Sequence, residues 1–593
     1  MRILETVWMA ILIAVLSPSA IAQTGEGPDR KALFGELHIH TQWSFDAYIN
    51  TTRATPDDAY EFAKGKPKKH PDGQTYQISR PLDFMAVTDH SESLGISARM
   101  ADPEHPMSKL PIAKRIISGD RTALEEVRNA YRRGAPVEGI DDPETRREVW
   151  DLVIASANRH YDPGTFTALI AYEWTSTPNG QNLHRNVIFK GDTAPTPFSA
   201  VDSSKPEDLW RWMDRVREEG HSVLAIPHNL NVSDGIGFDR VDSFGNPLTS
   251  EYAAARNRNE PLVEVTQIKG TSETHPALSP NDEFADFELL ELYVARNTPV
   301  TKFHGSYVRD AYRTGLEFQD KEAFNPYRFG LIGASDSHTG IVPVEENNFT
   351  GTFGRAAVSP EQIAANRLRS PRGRQFSASG LAGVWSEENT REGIFGALER
   401  KETWGTTGPR IQVRVFGGFD MAGVNPGEAD WVDAAYEKGV PMGGELKAAD
   451  GAGAPTFVLW AIKDPESANL DRIQIVKVWS SGGVSQERVF DALWSGNRAK
   501  DPQTGKVPAV GNTVNLETLE YSNSIGAVEL KGTWTDPKFR ADHNAAYYVR
   551  VLEIPTPRWS MFNAKLAGIP HPPEVPKTIQ ERAYTSPIRY DHH

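Results

Sequence analysis

The sequence predicts an α/β protein: a (β/α) barrel followed by a β-rich C-terminal region. Three observations carry that expectation. Six apolar runs of strand length carry histidine or carboxylate residues at or near their ends. Helix-like stretches lie between most of them. After residue 410 the pattern changes to alternating apolar and polar runs parted by Gly, Pro and Asp turns. Ligand-type residues at strand ends, with helices between, are how a barrel builds a site from the loops at its C-terminal face.

The first run lies in 33–46, LFGELHIHTQWSFD, and ends in His38-Ile39-His40. Side chains two apart on a strand share a face, so both imidazoles point the same way. Asp46 follows in the loop. A single His-x-His pair is a weak signal; its repetition gives it weight. DFMAVTDH ends in Asp89 and His90, and FTALIAYEW ends in Glu173. NLHRNVIF follows with His184, and SVLAIPHN ends in His228. PLVEVTQ carries Glu264 two residues inside its run, and FGLIGASDSH ends in Asp336 and His338. TWGTTGPRI at 403–411 follows the helix-like EGIFGALERK and is the stretch expected to close the barrel.

Between the runs, PDDAYEFAKG and PEDLWRWMDRVREEG read as helices, the second opening on Pro and stopping at Gly. Residues 91–165 are charged and helix-rich. They are expected to form an insertion over the barrel mouth, either a pocket wall or a packing layer. VRVFGGF, TFVLWAIKD, RIQIVKVWSS and AAYYVRVLEI read as strands of a C-terminal sandwich.

The chain has 593 residues and a net charge of −15. The length suits several domains, and the charge argues against nucleic acid or an anionic membrane as partner. The first 22 residues read as a secretory signal: Arg2, an apolar run from Val7 to Leu16, and Ala20-Ile21-Ala22 before Gln23. The run is too short to span a bilayer, so a periplasmic or secreted protein without a membrane span is expected after cleavage. There is no cysteine. Disulfides, cysteine metal sites and thiol nucleophiles are therefore excluded. The expected division is a signal at 1–22, a barrel at 31–410 with its insertion at 91–165, and a β-rich region at 411–593.

Imidazole and carboxylate donors together suit Zn²⁺, Mn²⁺ or Fe²⁺ better than Mg²⁺ or Ca²⁺. So many donors at strand ends imply two or three divalent ions sharing bridging groups. Clustered dications lower the pKa of a bound water and stabilise both oxygens of a displacement. The implied chemistry is hydrolysis of an ester that carries negative charge. No G-x-S-x-G, Walker loop or Rossmann fingerprint offers another route. Arg185, beside a ligand, and Arg410, past the closing run, are candidate anion contacts; ordinary salt bridging is the alternative for each.

The HIH…D, TDH, E…H, PH and SDSH series resembles the polymerase-and-histidinol-phosphatase (PHP) superfamily. The fuller text, FGELHIHTQWSFDAY, AVTDHSE, YEWTS…HRNVIF, GASDSHTG and TWGTTGPRI, resembles an exported branch known as DUF3604. The resemblance implies a distorted (β/α)₇ barrel with a trinuclear metal site. It assigns His38, His40 and Asp336 to a first metal, Glu173 as a bridge, His184 and His228 to a second, and Asp46, His90 and His338 to a third. The insertion and the C-terminal region depart from the small phosphatase members. The expectation is an exported hydrolase of small anionic substrates, phosphate mono- or diesters, attacked by a metal-bound hydroxide. Glu173, Asp336, Arg185 and Arg410 are its expected catalytic residues. A sulfate-ester hydrolase on the same site is the alternative, and a non-catalytic metal- or carbohydrate-binding protein is the alternative of another class.

Overall fold

The computed structural model describes residues 29–592, apart from 71–72, 133–136, 138, 141, 295–297, 343, 354–358 and 448–452. The expected signal at 1–22 lies outside the described residues. Among the described residues no helix is long and apolar enough to cross a membrane.

The architecture is mixed α/β around a large central sheet. Its first strands are β1 (Lys31–Glu36), β2 (Phe84–Ala86), β3 (Thr167–Ser176), β4 (Leu183–Phe189) and β5 (Val223–His228). Next come β6 (Leu262–Gln267), β7 (Gly270–Thr271), β8 (Gly330–Gly333), β9 (Leu381–Ser386) and β10 (Thr403–Thr406). β1, β2 and β3 are parallel neighbours. β4 runs antiparallel to both β3 and β5. The reason is the short link between Ser176 and Leu183: it allows a hairpin, whereas a parallel return needs a crossover of about a dozen residues or more. β6 and β8 form a parallel pair of their own, and β9 lies antiparallel to β1.

No hydrogen-bonded ladder joins β5 to β6 among the described residues. The strands are nonetheless drawn together by a common apolar interior. Phe84, Leu169, Ile188, Ile226, Leu262, Ile332 and Val384, from seven different strands, pack in one cluster. Ile394, Phe395 and Leu398 of α1 (Arg391–Arg400) join it. β8 crosses β10 closely enough that a Cβ on Gly405 would stand 2.5 Å from Gly333 N. Only glycine allows that approach.

Beyond β10 the sheet continues into the C-terminal region without a break. Trp404 pairs with Thr585 and Thr406 with Ala583 of β11 (Arg582–Thr585). That strand pairs in turn with the long strand Asn544–Glu553. A second sheet, which includes Gln412–Gly418, Thr456–Ile462 and Glu529–Thr535, lies opposite. Val413, Leu459, Ile475, Val549 and Ile588 fill the space between the two sheets. In the region 91–165, the helix Pro143–His160 buries Val149, Trp150 and Val153 in the same apolar cluster as Tyr172 and Phe189 of β3 and β4.

Candidate metal centre

The strand exits are fastened to each other by backbone bonds. Asp336 N donates to His38 O at 2.7 Å, His40 N to Ser337 O at 2.8 Å, and Thr88 N to Ile39 O at 2.9 Å. His90 and Glu173 face each other in a parallel bridge. His184 is the second residue of β4, not its last. Because β4 is reversed, its N-terminal end reaches the same rim, where His184 stands opposite both Thr175 and His228. In the sequence His184 stands near the start of NLHRNVIF, and the hairpin is what brings that end to the rim. Asp336 and Asn229 both take φ +55°, a left-handed conformation uncommon outside glycine and concentrated at functional sites.

All the expected ligands converge. Glu173 uses its two oxygens on different partners. Oε1 lies 2.9 Å from His184 Nδ1 and 3.3 Å from His228 Nε2. Oε2 lies 3.4 Å from His38 Nε2, 3.2 Å from His40 Nε2 and 3.3 Å from His90 Nδ1. Asp336 Oδ1 stands 3.4 and 3.3 Å from His38 and His40 Nε2. Asp46 faces His90 at 3.4 Å and His338 at 3.1 Å.

His38 Nε2, His40 Nε2, His228 Nδ1 and Asp336 Oδ1 are buried without a hydrogen-bond partner. Such atoms are costly unless something else satisfies them. Two donors on one zinc-type ion, at bonds of about 2.0–2.1 Å and a tetrahedral angle, stand about 3.3 Å apart. The spacing here fits. Three overlapping groups have all their donor atoms within 4.8 Å: His40, His90 and His338; His38, Glu173 and His228; His38, His40 and Asp336. These clusters could hold metal ions.

The rings are oriented from behind. Glu264 Oε2 accepts from His38 Nδ1 at 2.9 Å, which leaves the Nε2 lone pair facing inward. Ser44 Oγ donates to Asp89 at 2.7 Å and so accepts from His40 Nδ1 at 2.8 Å, with the same result. Carboxylates and hydroxyls behind ligating histidines fix tautomer and direction in this way. Asp89 takes Thr41 and Ser44 as its donors, not His90.

The electrostatics show a cluster that attracts cations. Burial opposes charge on His38, but Asp336 and Glu264 hold it well above its usual value. Burial likewise opposes charge on His90, yet Glu173 and Asp46 raise it to about 10. Burial and His40 push His338 down to about 4. Against burial, the histidines hold Asp46 and Glu173 well below the usual carboxylate range, and His38 with Lys269 does so for Asp336. A proton is favoured on His38 and His90, whereas burial, with neighbouring histidines, disfavours one on His228 and His338.

The family described as "Protein of unknown function (DUF3604)" matches residues 27–592. The chain belongs to the DUF3604 family. No curated protein matches it. Among solved structures, a two-domain protein from Bacteroides vulgatus containing a predicted PHP-like metal-dependent phosphoesterase is similar at 11% identity. The match covers 93% of this chain and 95% of that one, with a TM-score of 0.30.

Two expected site residues of this DUF3604 protein are placed elsewhere. Arg185 follows His184 and therefore points to the other face of β4. There its Nε donates to Glu260 at 2.9 Å and its Nη1 to Leu183 O. Arg410 spends its guanidinium on the carbonyls of Pro81 and Arg80, while its backbone N donates to Asp464. Neither takes part in the cluster. The DUF3604 centre instead includes residues that the strand-end pattern passed over: Gln267, Lys269 and Asn229, all on Asp336. The only trace of Lys269 in the sequence is a lysine inside the otherwise uncharged stretch VTQIKGTS.

Proposed function

We propose that the protein is an exported metal-dependent hydrolase of phosphate esters, its strand ring a distorted (β/α)₇ barrel. The observation that carries this reading is the set of buried, unpartnered imidazole and carboxylate atoms aimed at common points. His38, His40 and Asp336 would hold one ion, His184 and His228 another, and Asp46, His90 and His338 a third, with Glu173 between them. Two or three ions of zinc, manganese or iron would supply Lewis acidity and a water of lowered pKa.

The chain's own residues do the rest. Glu264 and Ser44 keep protons on the outer nitrogens of His38 and His40, so the inner nitrogens stay free to bind. Glu173 offers one oxygen to each side, which suits a bridge. His38, His40, His228 and Asp336 are shut off from water, with 0–1% of each exposed. In such a dry site charge interactions are strong. Asp46, whose side chain is 18% exposed, is the most accessible of the nine and marks the side from which a substrate would enter. The test is metal content of the purified protein together with hydrolysis of phosphate mono-, di- and triesters and sulfate esters. Two or three ions per chain with phosphoesterase activity are expected. A metal-free protein after supply of Zn²⁺ and Mn²⁺ would overturn the reading, and a preference for sulfate esters would reassign the substrate.

A further inference from the structure

Lys269 is 6% exposed, and a buried ammonium is costly unless it is paired. Its partner is Asp336 Oδ2. The same oxygen accepts from Gln267 Nε2 at 2.8 Å and Asn229 Nδ2 at 3.2 Å. Oδ1 of that carboxylate is the buried atom with no partner, and it faces His38 and His40. The two oxygens of Asp336 are thus divided: three donors on one, none on the other.

The lysine is delivered by a rigid tip. Gln267 pairs with Gly270, so Ile268 and Lys269 are the turn between β6 and β7. Lys269 N donates to Gln267 Oε1 at 2.8 Å, and Lys269 O accepts from Asn231 at 3.0 Å. Ile268 N donates to Ser335 O, one residue before Asp336. Gly270 takes φ +89°, and a Cβ there would meet Glu288 O at 2.6 Å. The backbone is held on all sides, and the side chain ends on a residue of the centre.

We propose that Lys269 is a positioning residue of the metal centre. Its ammonium occupies Asp336 Oδ2, so the carboxylate offers Oδ1 alone, and its charge limits how tightly the centre holds its ions. This rests on the metal reading above. A fixed positive charge near dications repels them, and in a site of low effective dielectric the effect on affinity is large. Removing it also leaves Oδ2 with only the neutral donors of Gln267 and Asn229, so the carboxylate offers more negative charge to an ion. Loss of Lys269 therefore tightens metal binding while slowing turnover.

The experiment uses the full-length protein loaded with Mn²⁺ or Zn²⁺. Metal remaining is followed over time in EDTA for the wild type and for Lys269→Met, Lys269→Gln and Lys269→Arg. Met and Gln, which lack the charge, are expected to lose metal at least about tenfold more slowly. Arg, which keeps it, should track the wild type. The kcat of Met and Gln should fall by about 10–100-fold, with KM within about threefold. If the Met variant does not fold, Gln against Arg gives the same contrast. Faster metal loss, or no change, in the uncharged variants of a wild type that does hold metal would overturn the proposal alone. A raised KM at unchanged kcat would also overturn it, making Lys269 a substrate contact. A wild type without metal would overturn the centre itself.

Discussion

The molecule buries two clusters of charge, and they are finished differently. One ties the ligand-bearing half of the chain to the C-terminal sheet. Arg309 and Arg550, each 0% exposed, meet Glu273 and Asp282. Arg309 also donates to Tyr548 OH at 2.8 Å and Arg550 to Gln474 Oε1 at 3.0 Å. Charges balance, and no buried side-chain nitrogen or oxygen of these four residues lacks a partner. The other cluster is the centre at the strand ends. It gathers Asp46, Glu173 and Asp336, with Lys269 as the fixed cation among them, and leaves inward-facing atoms unpaired. The first network is complete within itself; the second converges several unpaired donor atoms on common points and could hold metal ions. Convergence of unpaired donors, rather than burial or charge count, is what sets the second apart.

The largest effect should come from Glu173→Gln. The change is nearly isosteric, so the fold should hold while metal is lost and kcat/KM falls by about 10³-fold, several kcal/mol of lost transition-state stabilisation. Metal content and rate measured on one sample check this; full metal and full activity would erase the distinction between the clusters. His40→Ala and His338→Ala should behave likewise, with melting temperature retained.

Arg309→Met should show the reverse. Breaking a fully buried pair by removing one partner destabilises by about 3–5 kcal/mol. Denaturant unfolding should report that loss, while the folded fraction keeps its full metal content. Glu264→Gln should fall between the two. Weakening the group behind His38 should reduce metal affinity by about 10–100-fold, read by competition with a chelator, with little change in unfolding.

The smallest effects concern pH and stand clear of the centre. Burial raises Glu273 and Asp282, but Arg309 and Arg550 outweigh it and hold both below their ordinary values. Their contribution is present above the unfolded carboxylate range of about 4 and is lost as pH falls through the depressed folded values. Glu553 has the opposite sign. Burial pushes it up to about 8, so its contribution is full below about pH 4.5 and is lost as pH rises through about 8. Unfolding midpoints from pH 5 to 9 should decline, and Glu553→Gln should flatten that decline.

Much of the centre was legible from spacing. His38 and His40, two apart just past β1, both reach the cluster, as the period of two in the extended run implied; Asp336 and His338 are also two apart, but Asp336 is left-handed, so a turn rather than strand periodicity brings them in. Strand direction was not legible, because a hydrophobic run reads the same in either direction. That His184, near the start of its run, reaches the same rim as the ends of the other runs depends on β4 being reversed. Arg185 misled for a related reason: a neighbour in sequence on a strand is on the other face. Lys269 belongs to the centre through a hairpin tip, and tertiary contact leaves no periodic mark. The two oxygens of Glu173, and likewise those of Asp336, face different partners, which composition cannot show.

The pairing of β10 with β11 sets an order of events. Every residue of the centre has been synthesised by His338, but the strand that covers β10 ends at Thr585. Until then β10 presents an open row of backbone donors and acceptors, the kind of edge that recruits other chains. So distant a pairing is slow to form. A chain stopped near residue 410 would carry every ligand and still expose that edge. It should aggregate before it ever tests its chemistry.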